Sequence, residues 1–449
     1  MKKNSTIQQF NNSAMNSVHF EYLYPPDTRF AQIEKIVKHI KEGKSCQLIS
    51  LPGVGRSNLF GLLSFNKNVR AKHFGENAKW FHFVYMDFSE IANRSLQEVN
   101  KYIFLSLMDS LRDRKLGEEY ARVQQIFKKH LEYGDEMVLF QGLKEAIDYL
   151  ALEKELTIVF LFDKFAEYIP NLTSQFFANL KIIRNRVKYR FSAAFSLERP
   201  LDELIEPIIF KDFYEFVADN LVFLPLFDKP GIGFRRSYLE KITGKKISDK
   251  KFDLILSLTG GHGKLTRLAM EIVLTTEGEK KEDLAGFLIT QKTIQGCLRE
   301  IWSSLNPSEQ LEIKNNKDFS DYLQKIDLVK NNNITIPLLR DYARETFAKE
   351  PQKIIFNQNS AEILIGSTNL SEKLTALEHG LLMFLIENKE KVLSRDEIIN
   401  AVWQTKVTDG VSDQALDQLI SRIRKKIEVN PNNPTHLLTI KGRGLKFNP

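Results

Sequence analysis

Towards the C-terminal end, apolar residues recur at helical spacing. Leu416, Leu419, Ile420, Ile423 and Ile427 fall on one face of a helix for which Ser412 supplies a cap. At about 100° per residue, Gln414, Gln418, Ser421, Arg422 and Lys425 fall on the opposite face. Two earlier helices are each opened by a capping-box pair, Thr375 with Glu378 and Ser394 with Glu397. The first carries Leu377, Leu381, Leu382 and Leu385; the second carries Ile398, Ile399, Val402 and Trp403. Asn430-Pro431-Asn432-Asn433-Pro434 stops the third helix. Leu437 to Ile440 and Leu445 to Phe447 then predict a hairpin around Gly442 and Gly444. Lys353 to Phe356 and Glu362 to Ile365 alternate as short strands.

The N-terminal two-thirds alternates strand-like and helical patterns instead, which predicts a wound α/β domain. Gln47 to Ser50 is a short apolar strand, followed by the turn Leu51-Pro52-Gly53-Val54-Gly55-Arg56-Ser57 and a helix from Asn58. Thr157 to Asp163 is a second, wholly apolar strand ending in a carboxylate. The Phe-rich stretches Phe81 to Phe88 and Phe160 to Phe165 read as buried strands rather than as platforms for stacking bases.

Composition narrows this frame. A chain of 449 residues suggests about three domains, and 43% hydrophobic residues support packed cores. Cys46 and Cys297 lie far apart without metal-ligand spacing, which indicates a reducing compartment. No apolar run approaches the roughly 18 residues that span a membrane, so the expectation is a cytoplasmic chain with no membrane partner. Met1 to Val18 is polar and Asn/Ser-rich, the pattern of a loose tail. The net charge of +7 suits an anionic partner. From Gln418 onward, Arg422, Arg424, Lys425, Lys426, Lys441, Arg443 and Lys446 stand against Glu428 alone. Hydrogen-bonding and cationic side chains thus share one stripe, as reading base edges and phosphates requires. A solvated basic helix in a protein-binding domain is the alternative.

The C-terminal stretch closely resembles the OmpR/PhoB-type winged-helix DNA-binding domain. The resemblance rests on Leu374-Thr375 with Glu378 and Leu381-Leu382, Val392 to Ile398, Ala401 to Trp403, and Val411 to Asp417. Ile420 to Ile427 and Thr439 to Phe447 complete it. It implies that the third helix enters the major groove of double-stranded DNA and that the hairpin tip enters the minor groove. It also implies that the loop between the second and third helices can touch RNA polymerase. By position, Gln418, Ser421 and Arg422 become base readers. Arg424, Lys425, Thr439 and Lys441 become phosphate contacts, and Arg443 the minor-groove finger. Leu445 departs from the aromatic residue usual there, a matter of local packing.

Gly53 to Ser57 stands between a strand and a helix, the context in which backbone N–H groups cradle phosphates. The strict phosphate-loop pattern needs a first Gly and a Lys-Ser/Thr pair, where this chain has Ser50 and Arg56. Ser57 and Asp163 remain for a magnesium ion, and an Arg pairs well with phosphate oxygens. Lys164 follows Asp163 where many such ATPases keep a catalytic Glu. No catalytic residue is therefore assigned, and efficient hydrolysis is not expected. Ser50 to Ser57 as an ordinary Gly-rich turn, and Asp163 as a simple strand-end residue, stay open.

With Asn220 to Leu226 and Leu258 to Arg267, residues from about Phe20 to Tyr342 resemble a STAND- or Orc-type AAA+ ATPase with a helical lid and a winged helix. The resemblance implies ATP or ADP with magnesium, Pro225 beside the adenine, Arg267 near the phosphates and His262 as a structural lid residue. Gly263 replaces a frequent Pro. Ile301 to Gln310, Tyr322-Leu323 and Ile334 to Leu338 resemble the winged helix of that class, which packs on the nucleotide domain.

The expected organisation is a multidomain α/β plus α+β chain. A tail at 1–18 precedes a P-loop α/β domain at 19–225, a lid at 226–290, a winged helix at 291–348 and the OmpR/PhoB-type domain at 350–449. The reading is a DNA-binding transcription regulator whose N-terminal module senses a signal, with a homo-oligomer open. The alternative is an ATPase of a defence or DNA-replication type that docks through the winged helix. No receiver domain with an acidic pocket precedes the C-terminal winged helix, so aspartyl phosphorylation is not expected.

Overall fold

Five strands form a parallel sheet in the computed structural model: β1 (Cys46–Ile49), β2 (Phe81–Asp87), β3 (Thr157–Asp163), β4 (Phe191–Leu197) and β5 (Leu221–Phe223). Their order is β2-β3-β4-β1-β5. Strand β4 is buried along its whole length, and β3 from Ile158 onward. From Ile158 to Phe162 β3 is an unbroken apolar run, and β4 departs from one only at the buried Ser192 and Ser196, as suits strands covered on both faces of a parallel sheet. Helices α1 (Phe30–Lys41) and α2 (Arg56–Phe65) flank β1 in sequence. Between β2 and β3 the chain inserts α3 (Leu96–Asp113), α4 (Gly117–Leu131) and α5 (Glu136–Asp148).

The core of this sheet is aromatic. Phe88, Phe160, Phe162, Phe165, Phe191 and Phe195 are fully buried, joined by Phe176 and Phe177 of α6 (Ser174–Val187). Edge-to-face pairs such as Phe160 with Phe191, 5.1 Å between centroids, add about 0.5–1.5 kcal/mol each beyond area burial. The Phe-rich stretches are therefore core, as expected.

After β5 come α7 (Lys229–Thr243), α8 (Asp249–Thr259) and α9 (Gly263–Thr275). They are followed by α10 (Lys292–Ser303), α11 (Pro307–Asn315), α12 (Asp321–Lys325) and the small hairpin β6 (Val329–Lys330) with β7 (Asn333–Ile334). Asn306 and Glu309 form a capping box at α11.

The structure describes residues 19–132, 135–275, 282–347, 354–357, 362–365, 368–389, 391–403, 413–428, 431, 434–440 and 443–449. The expected tail at 1–18, the cap Ser412, the phosphate contact Lys441 and the turn residue Gly442 lie outside them. Two compact units are present, Met1–Tyr342 and Ala343–Pro449.

The second unit begins with an antiparallel sheet of β8 (Ile354–Asn357), β9 (Glu362–Ile365) and β10 (Thr368–Asn369). Three helices follow: α13 (Ala376–Glu387), α14 (Arg395–Val402) and α15 (Asp413–Ile427). Both expected capping boxes are formed, Thr375 with Glu378 and Ser394 with Glu397, each contributing about 1 kcal/mol. A closing sheet β11-β13-β12 uses β11 (Val392–Leu393), β12 (Leu437–Ile440) and β13 (Gly444–Phe447).

Leu381, Leu382, Leu385, Ile398, Leu416, Leu419, Ile420, Ile423, Ile427, Leu445 and Phe447 share one core. Leu377 was expected there and is instead 43% exposed. The inward row of α13 runs 378, 381, 382, 385, so Glu378 takes the buried place and Leu377 falls one position off it.

Candidate nucleic-acid interface and phosphate-loop pocket

Helix α15 divides its two faces as the spacing predicts. Leu416, Leu419, Ile420, Ile423 and Ile427 are buried, whereas Gln414, Gln418, Ser421, Arg422 and Lys425 are exposed. Polar bonds fix this helix from both sides. Lys426 Nζ donates to Glu378 Oε2 at 2.6 Å and to the Lys373 carbonyl at 2.7 Å, tying α15 to the start of α13. Burial pushes the Glu378 carboxyl up, but Lys426 and the Thr375 N–H and hydroxyl outweigh it and hold it below the usual range. Glu428, the lone acid of the basic end, accepts the N–H groups of Thr435, His436 and Leu437 and so fixes the start of β12. Arg395 of α14 pairs with Asp413 and Asp417, both at 2.8 Å, and steadies the first turn of α15.

Arg424 donates from Nε and Nη2 to the Leu437 carbonyl, and from Nη2 to Thr439 Oγ1 at 2.8 Å. Arg424 and Thr439, both expected as phosphate contacts, are thus bonded to each other and brace the hairpin. Gln418, Ser421, Arg422 and Lys425 share one exposed face, and the Arg422 guanidinium lies back over the Gln418 carbonyl at 3.4 Å. Arg443 is exposed in the turn before β13, its N–H donating to the Ile440 carbonyl at 2.9 Å. Gly444 has φ +125°, and a Cβ there would overlap the Leu393 carbonyl of β11. Leu445 is buried, so the smaller residue at the usual aromatic place fills the core.

In the first unit, Gly55 (φ +118°) caps α2, and the turn before it lies under α9. Lys264 N–H donates to the Gly53 carbonyl at 2.9 Å. His262 Nδ1 accepts the Leu265 N–H, which leaves Nε2 to donate to the Pro52 carbonyl at 2.8 Å. Burial lowers the His262 pKa to about 4, so it is neutral and structural, as expected. A pocket of about 220 Å³ opens beside the turn. Gly53, Gly55, Asn58, Arg235, Lys264 and Arg267 contribute to its walls.

The expected nucleotide residues divide between pocket and fold. Gly53, Gly55 and Arg267 line the pocket, Arg267 paired with Glu271 at 2.7 Å. Arg56 is not among the lining residues. Its Nη1 donates to the Ser50 and Leu197 carbonyls, and its Nη2 meets Glu198 at 3.4 Å. Pro225 serves through its carbonyl, which accepts Arg29 Nη1. Ser57 is exposed at the start of α2. Asp163 is fully buried; Oδ2 accepts the Tyr85 hydroxyl at 2.7 Å, and Oδ1 has no partner among the described residues. A buried carboxylate oxygen left unpaired fits a cation or a water. Lys164 adopts φ +50° and pairs with Asp87 at 2.8 Å.

Sequence reasoning missed Arg29, Arg235 and Lys264. Arg29, just before α1, and Arg235, on α7, stand far from the loop motif and carry no motif of their own. Lys264 follows the Gly260-Gly261-His262-Gly263 run directly, a signal that could have found it. Among the described residues there is no group of three or more His, Cys, Asp or Glu suited to a metal, and no helix long and apolar enough to cross a membrane.

The family described as transcriptional regulatory protein, C terminal, matches residues 370–447. The sensory transduction protein RegX3 of Mycobacterium leprae is 43% identical over 71 residues, covering 16% of this chain and 34% of the relative. The chain thus spans about a third of the length of the curated relatives it matches. Among solved structures, the RstA DNA-binding domain of Klebsiella pneumoniae in complex with RstA box is 22% identical. The match covers 22% of this chain and 94% of that one, with a TM-score of 0.19. A Walker-type ATPase of Pyrococcus abyssi is 12% identical over 70% of this chain and 95% of that one, with a TM-score of 0.44. Residues 370–447, within the second unit, form a winged helix of the OmpR/PhoB type, the C-terminal domain of transcriptional regulatory proteins.

Proposed function

We propose that this protein is a transcription regulator that binds duplex DNA through its C-terminal winged helix and senses a nucleotide with its N-terminal module. The observation that carries the reading is the exposed face of α15. Gln418, Ser421, Arg422 and Lys425 stand together on a helix pinned by Lys426, Arg424 and Glu428. A rigid helix with free donors on one face suits base-edge and phosphate contact. RegX3, a sensory transduction protein, supports the same reading.

For the nucleotide, the turn Gly53 to Gly55 and the cationic wall of the pocket support a phosphate-bearing ligand. Ser57 and Asp163 are the residues to hold magnesium, which when bound neutralises phosphate charge. Lys164, occupied by Asp87, offers no base to activate water.

Band-shift titrations of the full chain and of residues 343–449 on genomic fragments test the DNA half. Binding should fall steeply with salt, because each basic contact displaces a counterion. No shift by either at low salt would refute the regulator reading. ATP turnover on the order of 1 per second or faster, lost in Asp163→Ala, would favour the ATPase alternative.

A further inference from the structure

We propose that Lys264, on the lid helix α9, supplies the phosphate-binding ammonium that the loop itself lacks, and that Glu300 competes with the ligand for it. The ligand class is a nucleoside di- or triphosphate, so the proposal rests on the nucleotide reading above.

Arg56 holds the loop position where a phosphate-binding Lys is usual, yet its side chain is only 15% exposed. Its guanidinium bonds the Ser50 and Leu197 carbonyls and Glu198. Turning it towards a ligand would leave those acceptors unpaired, which costs more than the bond it would gain. Lys264 has the opposite situation. Its backbone N–H is fixed to the Gly53 carbonyl, so its stem starts on the phosphate loop. A Cβ added to Gly53 would lie 2.9 Å from Lys264 Cβ and 3.2 Å from Cδ, which measures how closely the stem covers the loop. Lys264 also lines the pocket together with Gly53 and Gly55.

The Lys264 ammonium is paired with Glu300, and the two side chains are 40% and 43% exposed. Such a solvated pair is weak and exchanges readily. A polyphosphate at the loop offers the ammonium several charged oxygens in place of one carboxylate. Arg267 can make a similar exchange, but its partner Glu271 lies on the same helix, so nothing outside α9 is released. Glu300 lies on α10, beyond the lid. Ligand binding therefore exchanges an α9–α10 ion pair for a phosphate contact, and occupancy of the pocket is reported to the segment that follows.

The test is calorimetry on the full chain with ADP and with ATP, each with magnesium and with EDTA. K264M should weaken binding by about tenfold, and R56M clearly less. E300Q should tighten binding by about threefold, because the competing carboxylate is gone. Melting curves establish that each variant folds, and R56K replaces R56M in the comparison if R56M does not. Wild-type affinity in K264M, or a larger loss in the Arg56 variant than in K264M, overturns the proposal. If wild type binds neither nucleotide under any condition, the nucleotide reading itself falls and this proposal with it.

Discussion

Gly444 marks the point where the hairpin can tolerate no side chain. Its φ of +125° and the Leu393 carbonyl against it both exclude a Cβ. Gly444→Ala should destabilise the second unit by about 1–3 kcal/mol. Thermal melting of residues 343–449 measures this; an unchanged midpoint would mean that β13 does not pack against β11 as described. In the first unit, two buried histidines set an acid limit. Burial lowers His262 to about 4, and burial with Arg114 and Arg70 depresses His82 well below its usual value. Each is neutral when folded and binds a proton more readily when unfolded, so stability is complete above about pH 6.5 and falls as the pH drops towards 4. The share of His262 is on the order of 3 kcal/mol. His262→Asn should flatten that decline in denaturant titrations at stepped pH, and an equally steep decline would show that His262 is not the source.

The elements differ in what their residues announced. The two faces of α15 were legible because helical periodicity and charge are local properties, and so were both capping boxes. The roles of Arg424 and Lys426 were not, since a basic residue looks the same whether it faces solvent or bonds a carbonyl brought by another element. The pocket was half legible: its turn is a contiguous motif, but Arg29 and Arg235 meet it only through folding. Contrasting variants on α15 follow from this division. Arg422→Ala should reduce discrimination between DNA sequences by about 1–3 kcal/mol without lowering the melting point. Lys426→Met should destabilise the domain by about 1–3 kcal/mol, because it leaves the buried Glu378 carboxylate without its cation. Competition binding and thermal melting on the same preparations separate these effects. A melting point lowered only by Arg422→Ala would invert the assignment.

At the scale of the whole molecule, the proposed function makes any coupling between nucleotide and DNA run in both directions. If nucleotide changes the affinity of the full chain for DNA by some factor, DNA must change its affinity for nucleotide by the same factor. Fluorescence titration of labelled duplex with and without ADP should show a shift for the full chain and none for residues 343–449. Equal shifts in both would place the nucleotide effect outside the N-terminal unit.

The strand order also fixes a timetable. Strand β1 pairs with β4 and β5, so Cys46 meets Ala194 and Gln47 meets Leu221 across a long stretch of the chain. Its neighbours arrive only after the three-helix insertion and the Phe-rich β3 have been made, and pairings of such sequence separation form slowly. The second unit closes its sheets over much shorter distances in the chain. In refolding from denaturant the second unit should therefore recover first, while β1 waits for β4 and β5 and its open edges are vulnerable to self-association.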